Sequence, residues 1–279
     1  MKTFETKLKS KDGIDFFVRG WEPETKPKGV VALVHGLGEH TGRYEHVARA
    51  MTEAGYALVG FDLRGHGKSG GVRGHFPSLD AVMQDIKDFF AFLTARYPDL
   101  PQFLYGHSLG GLLVLTYALK NKPKLKGVIA TGAGLRSQIH DQKMKILMAK
   151  VLGSLAPSSL IASGLETAAI SRDPKIVDVY VHDPLVHDRI SLGFGKTGLT
   201  ATDYVWSHAE EFSVPLLIMH GSADRITYSH GSESFSKLAS KNNKDITLKL
   251  WDGLYHEVHN EPEKEQVIQF MIDWLDRHL

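Results

Sequence analysis

Cysteine is absent from the 279-residue sequence. Disulfide bonds, thiol catalysis and cysteine-ligated zinc are therefore excluded together, and the composition fits a reducing compartment. Long apolar runs are also missing, because no stretch approaches the roughly 18 apolar residues that a membrane-spanning helix needs. The opening segment MKTFETKLKSKDG has frequent charges and no apolar centre, unlike a secretory signal peptide. We therefore expect a soluble, cytoplasmic protein.

An excess of charge of one sign is lacking as well. The formal net charge is +1, from 33 Lys and Arg against 32 Asp and Glu, and both signs are spread along the chain. A nucleic-acid-binding surface requires clustered Lys and Arg side chains opposite the phosphates, so nucleic acid is not expected as a partner. The hydrophobic fraction of 42% is ordinary for a globular protein and sufficient for a sizeable core.

Short β-branched segments alternate with longer amphipathic segments, a pattern typical of a parallel α/β fold. Segments 4–8 and 14–21, joined by Lys11-Asp12-Gly13, predict an antiparallel hairpin at a sheet edge. Continuous apolar runs predict further buried strands, at 29–36, 56–63, 102–107, 127–131, 215–220 and 246–251. Helical periodicity, with a serine cap at residue 78, predicts helices, at 44–54, 78–97, 108–120, 231–238 and 263–278.

The alternation stops near residue 135 and resumes at residue 212. A bare loop of this length would be unusual in a compact domain. The apolar spacing instead predicts two short amphipathic helices, at 139–152 and 160–169. We therefore predict an α/β core formed by residues 1–134 and 212–279, interrupted by a mostly helical cap formed by residues 135–211.

The segment Gly106-His107-Ser108-Leu109-Gly110 matches G-x-S-x-G between a predicted strand and a predicted helix. In the α/β-hydrolase fold this motif is the nucleophile elbow, a strained turn that presents the serine at the helix N-terminus. Residues 67–71 match the same motif but lead into Val-Arg-Gly-His-Phe-Pro, which cannot begin a helix. Ser108 is therefore the predicted nucleophile, and Ser69 is expected to be structural.

The same glycine-rich stretch imitates two nucleotide-binding motifs. Residues 65–70 spell G-x-G-x-x-G, but Pro77 precedes the next helix, so the helix N-terminus that would bind pyrophosphate is missing. The tripeptide Gly67-Lys68-Ser69 imitates the end of a P-loop, but Asp62 occupies the place of the first glycine. Both nucleotide-binding interpretations are rejected.

A serine nucleophile needs a base and a carboxylate that orients the base, and in this fold they follow in the order Ser, acid, His, beyond strand ends. Asp224 follows the strand predicted at 215–220, and His256 follows the strand predicted at 246–251. Asp224 is the predicted acid and His256 the predicted base. Asp252 and Glu257 lie nearby and remain alternatives for the acid.

A metal site receives no comparable support from the sequence. The segment His256-Glu257-Val258-His259 has one residue too few for the H-E-x-x-H zinc motif, and no other ligand cluster accompanies it. We expect the reaction to need neither a metal nor another cofactor.

The oxyanion of the transition state needs two amide donors, one from Leu109 after the nucleophile and one from the loop after strand 29–36. That loop reads HGLGEHTGRY. This segment, together with FDLRGHGKS, GHSLGG, SRDPKIVDVYVHDPLVH, GSADRIT and GLYHEVHNE, closely resembles the monoacylglycerol lipase family, in order along nearly the whole chain. The resemblance implies that Ser108, Asp224 and His256 form the catalytic triad and that Leu37 and Leu109 supply the oxyanion amides.

The resemblance also implies that Glu39, Arg43 and His259 line a pocket for the glycerol moiety. The spacing of Glu39 and Arg43 offers a structural alternative, an i,i+4 ion pair at a helix start. The cap is expected to shape an acyl tunnel and to make transient peripheral contact with membranes. Its apolar residues either line the tunnel or form the interior of the cap. These residues are Ile146, Leu147, Val151, Leu152, Leu160 and Ile161.

A lipid ester, monoacylglycerol or similar, is therefore the expected substrate of a serine carboxylester hydrolase. A lysophospholipase and a short-chain carboxylesterase remain alternatives, and a non-catalytic ligand-binding receptor on the same scaffold is a more remote one. Epoxide hydrolases and haloalkane dehalogenases share the fold but need an aspartate where this chain has Ser108.

Overall fold

The computed structural model covers residues 1–279 and describes all of them except the side chains of Lys143 and Lys145. The strands, numbered along the chain, are β1 (Lys2–Lys9), β2 (Asp15–Glu22), β3 (Gly29–Val34), β4 (Tyr56–Phe61), β5 (Gln102–His107), β6 (Gly127–Thr131), β7 (Leu160–Ala162), β8 (Arg189–Ser191), β9 (Leu216–Gly221) and β10 (Ile246–Trp251). The α-helices are α1 (Glu45–Glu53), α2 (Leu79–Arg96), α3 (Leu109–Asn121), α4 (Lys143–Leu155), α5 (Pro174–His182), α6 (Leu192–His208), α7 (Ser229–Ala239) and α8 (Lys264–Arg277).

Eight strands form one sheet in the spatial order β1-β2-β4-β3-β5-β6-β9-β10. The predicted edge hairpin is confirmed, because β1 lies at the edge and pairs antiparallel with β2 along its whole length. Strand β2 also pairs antiparallel with β4, and the six strands from β4 to β10 in this order run parallel. The carboxyl ends of the parallel strands therefore meet at one rim, where open α/β sheets bind their ligands.

Helices cover both faces of the sheet, which explains why every residue of β3 and β4 is buried. One core cluster joins one face of the sheet to α2 and α3, and a second joins the opposite face to α1 and α8. Helix α2 begins where predicted, because the Ser78 hydroxyl accepts a hydrogen bond from Ala81 N at 3.2 Å. No helix in the part of the chain that the structure describes is long and apolar enough to cross a membrane.

The predicted helix at 160–169 is wrong. Its first residues form β7, which pairs antiparallel with β8 in a separate two-stranded sheet, and only a 3-10 turn follows at Thr167–Ala169. Gly164, with φ +70°, separates the two pieces. A short apolar run fits a strand as well as a helix, and the partner strand that decides between them lies well downstream in the sequence.

Two cap helices, α5 and α6, lie where the sequence predicted no element. Asp173 caps α5 and Pro174 occupies its first turn, a helix-start signal that was available from the sequence. Helix α6 contains Gly193, Gly195 and Gly198, which lower helix propensity by about 1 kcal/mol each and mask the pattern. Helix α6 packs against α3 of the core and against α4. The division into core and cap stays a prediction, and "cap" denotes residues 135–211 below.

Candidate active site

Ser108 lies in the turn between β5 and α3 with φ 56° and ψ −115°, an unfavourable conformation for a residue with a side chain. The flanking glycines explain how the turn closes. A Cβ at Gly106 would clash with the carbonyl oxygen of Gly110, and a Cβ at Gly110 would clash with the carbonyl oxygen of Val34. Strand β5, helix α3 and the neighbouring strand β3 thus approach one another so closely that no side chain fits at either glycine. This close approach is expected for a nucleophile elbow.

Three side chains distant in the sequence are in direct contact at the rim. His256 Nε2 lies 2.8 Å from Ser108 Oγ, and His256 Nδ1 lies 2.7 Å from Asp224 Oδ2. All three residues are buried. Of the alternative acids, Asp252 bonds instead to the Ser222 hydroxyl and Glu257 to Arg43. The geometry therefore favours Asp224 as the carboxylate that orients the base.

The carboxylate of Asp224 is held by several donors besides His256. Its Oδ1 accepts hydrogen bonds from Ile226 N and Thr227 N, at 2.8 and 3.0 Å. Its Oδ2 lies 2.9 Å from the Thr227 hydroxyl and 3.0 Å from His220 Nε2. Sequence reasoning missed His220 and Thr227. Both residues lie in the same strand-end segment as Asp224, which could have indicated that they are near it. The sequence does not show, however, which side chains of this segment face the carboxylate.

The electrostatic environment suits a base that accepts a proton. Burial opposes the charged form of His256, but the charge of Asp224 and its hydrogen bond outweigh burial and raise the pKa of His256 above its ordinary value. Burial likewise opposes ionisation of Asp224, but His256 and His220 hold the pKa of Asp224 far below its ordinary value. Asp224 is therefore ionised throughout the range in which His256 titrates.

The residues predicted for the oxyanion hole, Leu37 and Leu109, both line a cavity together with Ser108. In the described part of the chain, no acceptor bonds to the backbone N–H of either residue. The Leu37 loop is fixed by Glu39, whose Oε1 accepts a hydrogen bond from Gly36 N at 2.6 Å. The two amides are thus available for a bound oxyanion, and their role stays a prediction.

The cavity has a volume of about 700 Å³ and extends from Ser108 and His256 beneath the cap. Most of its wall is apolar and comes from both the core and the cap. The apolar lining includes Leu112, Ile139, Ile161, Ile190, Phe194 and Leu199. Five of the six cap residues expected in the tunnel or in the cap interior are exposed, and Ile146 is half-buried. Of these six, Ile161 lines the cavity although its side chain is 49% exposed. The other exposed residues are Leu147, Val151, Leu152 and Leu160.

The three residues predicted for the glycerol pocket lie close together, but they differ in whether they line the cavity. Glu39 lines the cavity, whereas Arg43 and His259 are not among the described lining residues. His259 is buried behind the wall, where it stacks on Tyr44 with ring centroids 5.0 Å apart. Burial holds the pKa of His259 well below its ordinary value. A direct contact between glycerol and Arg43 or His259 is thus not supported by this geometry.

Arg43 instead joins two buried carboxylates. Its Nη1 lies 2.6 Å from Glu39 Oε2, which is the i,i+4 ion pair considered from the sequence. It also forms a two-pronged ion pair with Glu257, with both N–O distances 2.7 Å. Glu257 lines the cavity, and sequence reasoning weighed it only as an alternative acid. The sequence does not show that Glu257 pairs with Arg43, because the two residues lie 214 positions apart and meet only in the folded chain.

Ser69, the second serine of the G-x-S-x-G pattern, is tied into the structure. Its hydroxyl donates to the Asp62 carbonyl oxygen and accepts from Phe17 N. This joins the glycine-rich loop to the edge of the sheet. Among the described side chains, no group of three or more His, Asp or Glu residues is arranged to hold a metal ion.

Comparison with known proteins finds relatives that are monoacylglycerol lipases. Residues 25–263 match the family described as serine aminopeptidase, S33. A monoacylglycerol lipase of Mycolicibacterium smegmatis is 36% identical over 93% of this chain and 92% of its own length. An abhydrolase domain-containing protein of Dictyostelium discoideum is 39% identical over 100% of this chain, which spans 30% of that relative. The crystal structure of Paleococcus ferrophilus monoacylglycerol lipase superposes with a TM-score of 0.85 at 34% identity, covering 100% of both chains.

Proposed function

The chain belongs to the monoglyceride lipase family of α/β hydrolases, and from this premise we propose that it hydrolyses the ester bond of monoacylglycerols. It is a serine hydrolase that acts on carboxylic esters. The observation that carries the proposal is the contact chain from Ser108 through His256 to Asp224, beside a cavity whose wall is mostly apolar.

In the proposed reaction, His256 Nε2 takes the proton of Ser108 as Oγ attacks the ester carbonyl carbon. The carbonyl oxygen becomes an oxyanion, which accepts hydrogen bonds from the amides of Leu37 and Leu109. The tetrahedral intermediate collapses, and glycerol leaves with the proton from His256. Water then attacks the acyl-enzyme with His256 as base, and the fatty acid is released. Asp224 holds Nδ1 and stabilises the imidazolium.

The two ends of the cavity suit the two parts of a monoacylglycerol. The apolar wall suits the acyl chain, because each buried methylene contributes about 0.8 kcal/mol. Glu39 and Glu257 give the other end acceptors for the glycerol hydroxyls. A short-chain carboxylesterase would gain little from a mostly apolar cavity of about 700 Å³.

We also propose that the cap contacts lipid surfaces and that the protein acts in the cytoplasm. Helix α4 exposes large apolar side chains along its whole length, and burying them against lipid removes apolar area from water. These residues are Met144, Leu147, Met148, Val151, Leu152 and Leu155.

The substrate assignment is tested by profiling purified protein with 1-acylglycerols of increasing chain length, p-nitrophenyl esters and lysophosphatidylcholine. We expect the highest kcat/KM for long-chain 1-acylglycerols, with about a hundredfold gain over four added carbons that fit the cavity. A preference for lysophosphatidylcholine, or a flat chain-length profile, contradicts the proposal. A fluorophosphonate probe should label Ser108, and absence of labelling would favour the receptor alternative.

A further inference from the structure

One end of the cavity contains two buried carboxylates that share one guanidinium. Arg43 pairs with both Glu39 and Glu257, and the three side chains are 8%, 2% and 4% exposed, respectively. The formal charge of this group, called the Glu39–Arg43–Glu257 cluster below, is one positive against two negative, hence −1. In the described part of the chain, no second Lys or Arg forms an ion pair with either carboxylate.

The remaining partners of the carboxylates are uncharged. Gly36 N and the Tyr44 hydroxyl donate to Glu39, and Asn260 Nδ2 donates to Glu257 at 2.7 Å. Burial opposes ionisation of Glu39, but Arg43 outweighs burial and lowers the pKa of Glu39 to about 2. These donors satisfy the carboxylates without adding a positive charge, so in the described part of the chain Arg43 is the one cation paired with the two carboxylates.

The acidic residues of this cluster differ from Arg43 in whether they form part of the cavity wall. Both carboxylate residues line the cavity, whereas Arg43 does not. The ring of Tyr180, itself a lining residue, covers the guanidinium with its centroid 4.7 Å from Arg43 Cζ. A ligand in the cavity therefore meets Glu39, Glu257 and Tyr180 in the wall, whereas Arg43 is not part of the wall.

The cluster also lies beside the reacting groups. Glu257 directly follows His256 in the sequence. A Cβ built at Gly36 would lie 2.8 Å from Glu39 Oε1 and 3.3 Å from Ser108 Cβ. The Glu39 carboxylate and the nucleophilic serine therefore lie on either side of Gly36, close to each other. An ester bound at Ser108 with its acyl chain along the apolar wall thus places its alcohol portion near these carboxylates.

We propose that Glu257 sets the charge selectivity of the enzyme: the cluster accepts esters with an uncharged alcohol portion and rejects esters with an anionic group there, such as acylglycerol phosphates. The inference rests on the proposed function and names the class of alcohol that its site accepts. An anion beside a buried net charge of −1 is repelled and also loses its hydration. Without Glu257, the Glu39–Arg43 pair would be neutral and this repulsion would be lost.

The test compares kcat/KM for 1-octanoylglycerol and 1-octanoylglycerol 3-phosphate, both as monomers. Wild-type protein should prefer the uncharged ester, and Glu257→Gln should lower this preference at least about tenfold. Glu257→Asp keeps the charge and should retain the preference. Glu233→Gln, an exposed change on α7, serves as the remote control and should also retain it. A Glu257→Gln preference within twofold of wild type in folded protein overturns the inference.

A pH profile separates a charge effect from a merely structural one. Three acidic groups near His256 raise its pKa, namely Asp224, Glu257 and Glu39. The other titratable or charged groups in this neighbourhood are His107, His259 and Arg43. Glu257→Gln removes one of the raising charges, so the acid limb of kcat/KM should move to lower pH, while Glu257→Asp should leave it in place. An unmoved limb in Glu257→Gln contradicts the charge assignment.

Two further comparisons keep the test decisive. If Glu257→Gln does not fold, Glu39→Gln removes the same unit of charge from the same cluster and should lower the preference in the same direction. If wild-type protein does not cleave 1-octanoylglycerol, the proposed function fails, and charge selection is then measured with the octanoyl esters of ethylene glycol and glycolic acid. Equal cleavage of these two esters by wild-type protein refutes the charge selection itself.

Discussion

The core of this protein and its cap differ in where their apolar side chains lie. Strands β3 and β4 bury every residue between two layers of helices. Helix α4 of the cap leaves Leu147 58% and Leu155 77% exposed. Monomeric soluble proteins rarely expose contiguous apolar surface of this kind without a binding role. The core thus completes its burial within the chain, whereas α4 leaves large apolar side chains exposed.

The same contrast applies to polar groups. At the core rim, Asp224 is buried and receives hydrogen bonds from both His256 and Thr227, so its position is overdetermined. On α4, Lys150 forms an exposed ion pair with Asp203 of α6, and such pairs typically contribute about 0–1 kcal/mol. The hydrogen bonds that fix Asp224 suit chemistry that needs a fixed geometry.

The largest expected effect comes from removing the nucleophile at the rim of the sheet. Ser108→Ala removes the nucleophile and should lower kcat for 1-acylglycerol about 10⁴- to 10⁶-fold, the range known for triad knockouts. Fatty-acid release measures the effect. Ser69→Ala, at the other serine of this motif, is the matched control and should remain within about tenfold of wild type. Near-normal turnover by Ser108→Ala would refute the assignment of the nucleophile.

The second effect concerns the acid. Asp224→Asn should lower kcat about 10⁴-fold, because the amide no longer holds His256 in the required tautomer. Asp252→Asn changes the exposed alternative acid and should have little effect. Asp224 raises the pKa of His256, so the wild-type acid limb of kcat/KM should lie above pH 6.5, the ordinary histidine value. Activity requires neutral His256 and is lost as the pH falls through that pKa. A limb below pH 6 in wild-type protein is inconsistent with this pairing.

The third effect compares stability between the two regions. Leu104→Ala creates a cavity at a fully buried position of β5 and should lower the free energy of unfolding by about 2–5 kcal/mol. Leu155→Ala on the cap should change it by less than about 0.5 kcal/mol, since the side chain is already in water. Urea denaturation measures both. Equal destabilisation by the two changes would mean that the cap buries Leu155 in solution.

The smallest effect tests the lipid surface. Leu147→Gln and Leu155→Gln together should weaken binding to phosphatidylcholine vesicles about tenfold, because two apolar side chains no longer enter the lipid. Hydrolysis of a soluble short-chain ester should be unchanged. Val72→Gln, an exposed apolar residue of the core, is the control and should bind vesicles like wild type. Unchanged vesicle binding by the double variant argues against a lipid-facing α4.

Local patterns predict the core well and the cap poorly. Strands β5 and β6 occur at the predicted residues, because continuous apolar runs between turn residues leave few alternatives. In the cap, β7 was mistaken for part of a helix and α6 was not found. A three-residue strand has too little pattern of its own, and its pairing with β8 depends on a chain path that local periodicity does not encode.

The sequence by itself predicted Ser108, Asp224 and His256 at the rim, because a nucleophile elbow, a strand-end aspartate and a strand-end histidine each have a local signature. It left Asp252 and Glu257 open as the acid. The tertiary structure decided the partners of Arg43, the carboxylates exposed to the cavity and the orientation of α4. These properties depend on side chains from distant segments meeting at specific distances and angles. Hydrogen bonds and ion pairs weaken over a few ångströms, so only the assembled fold fixes them.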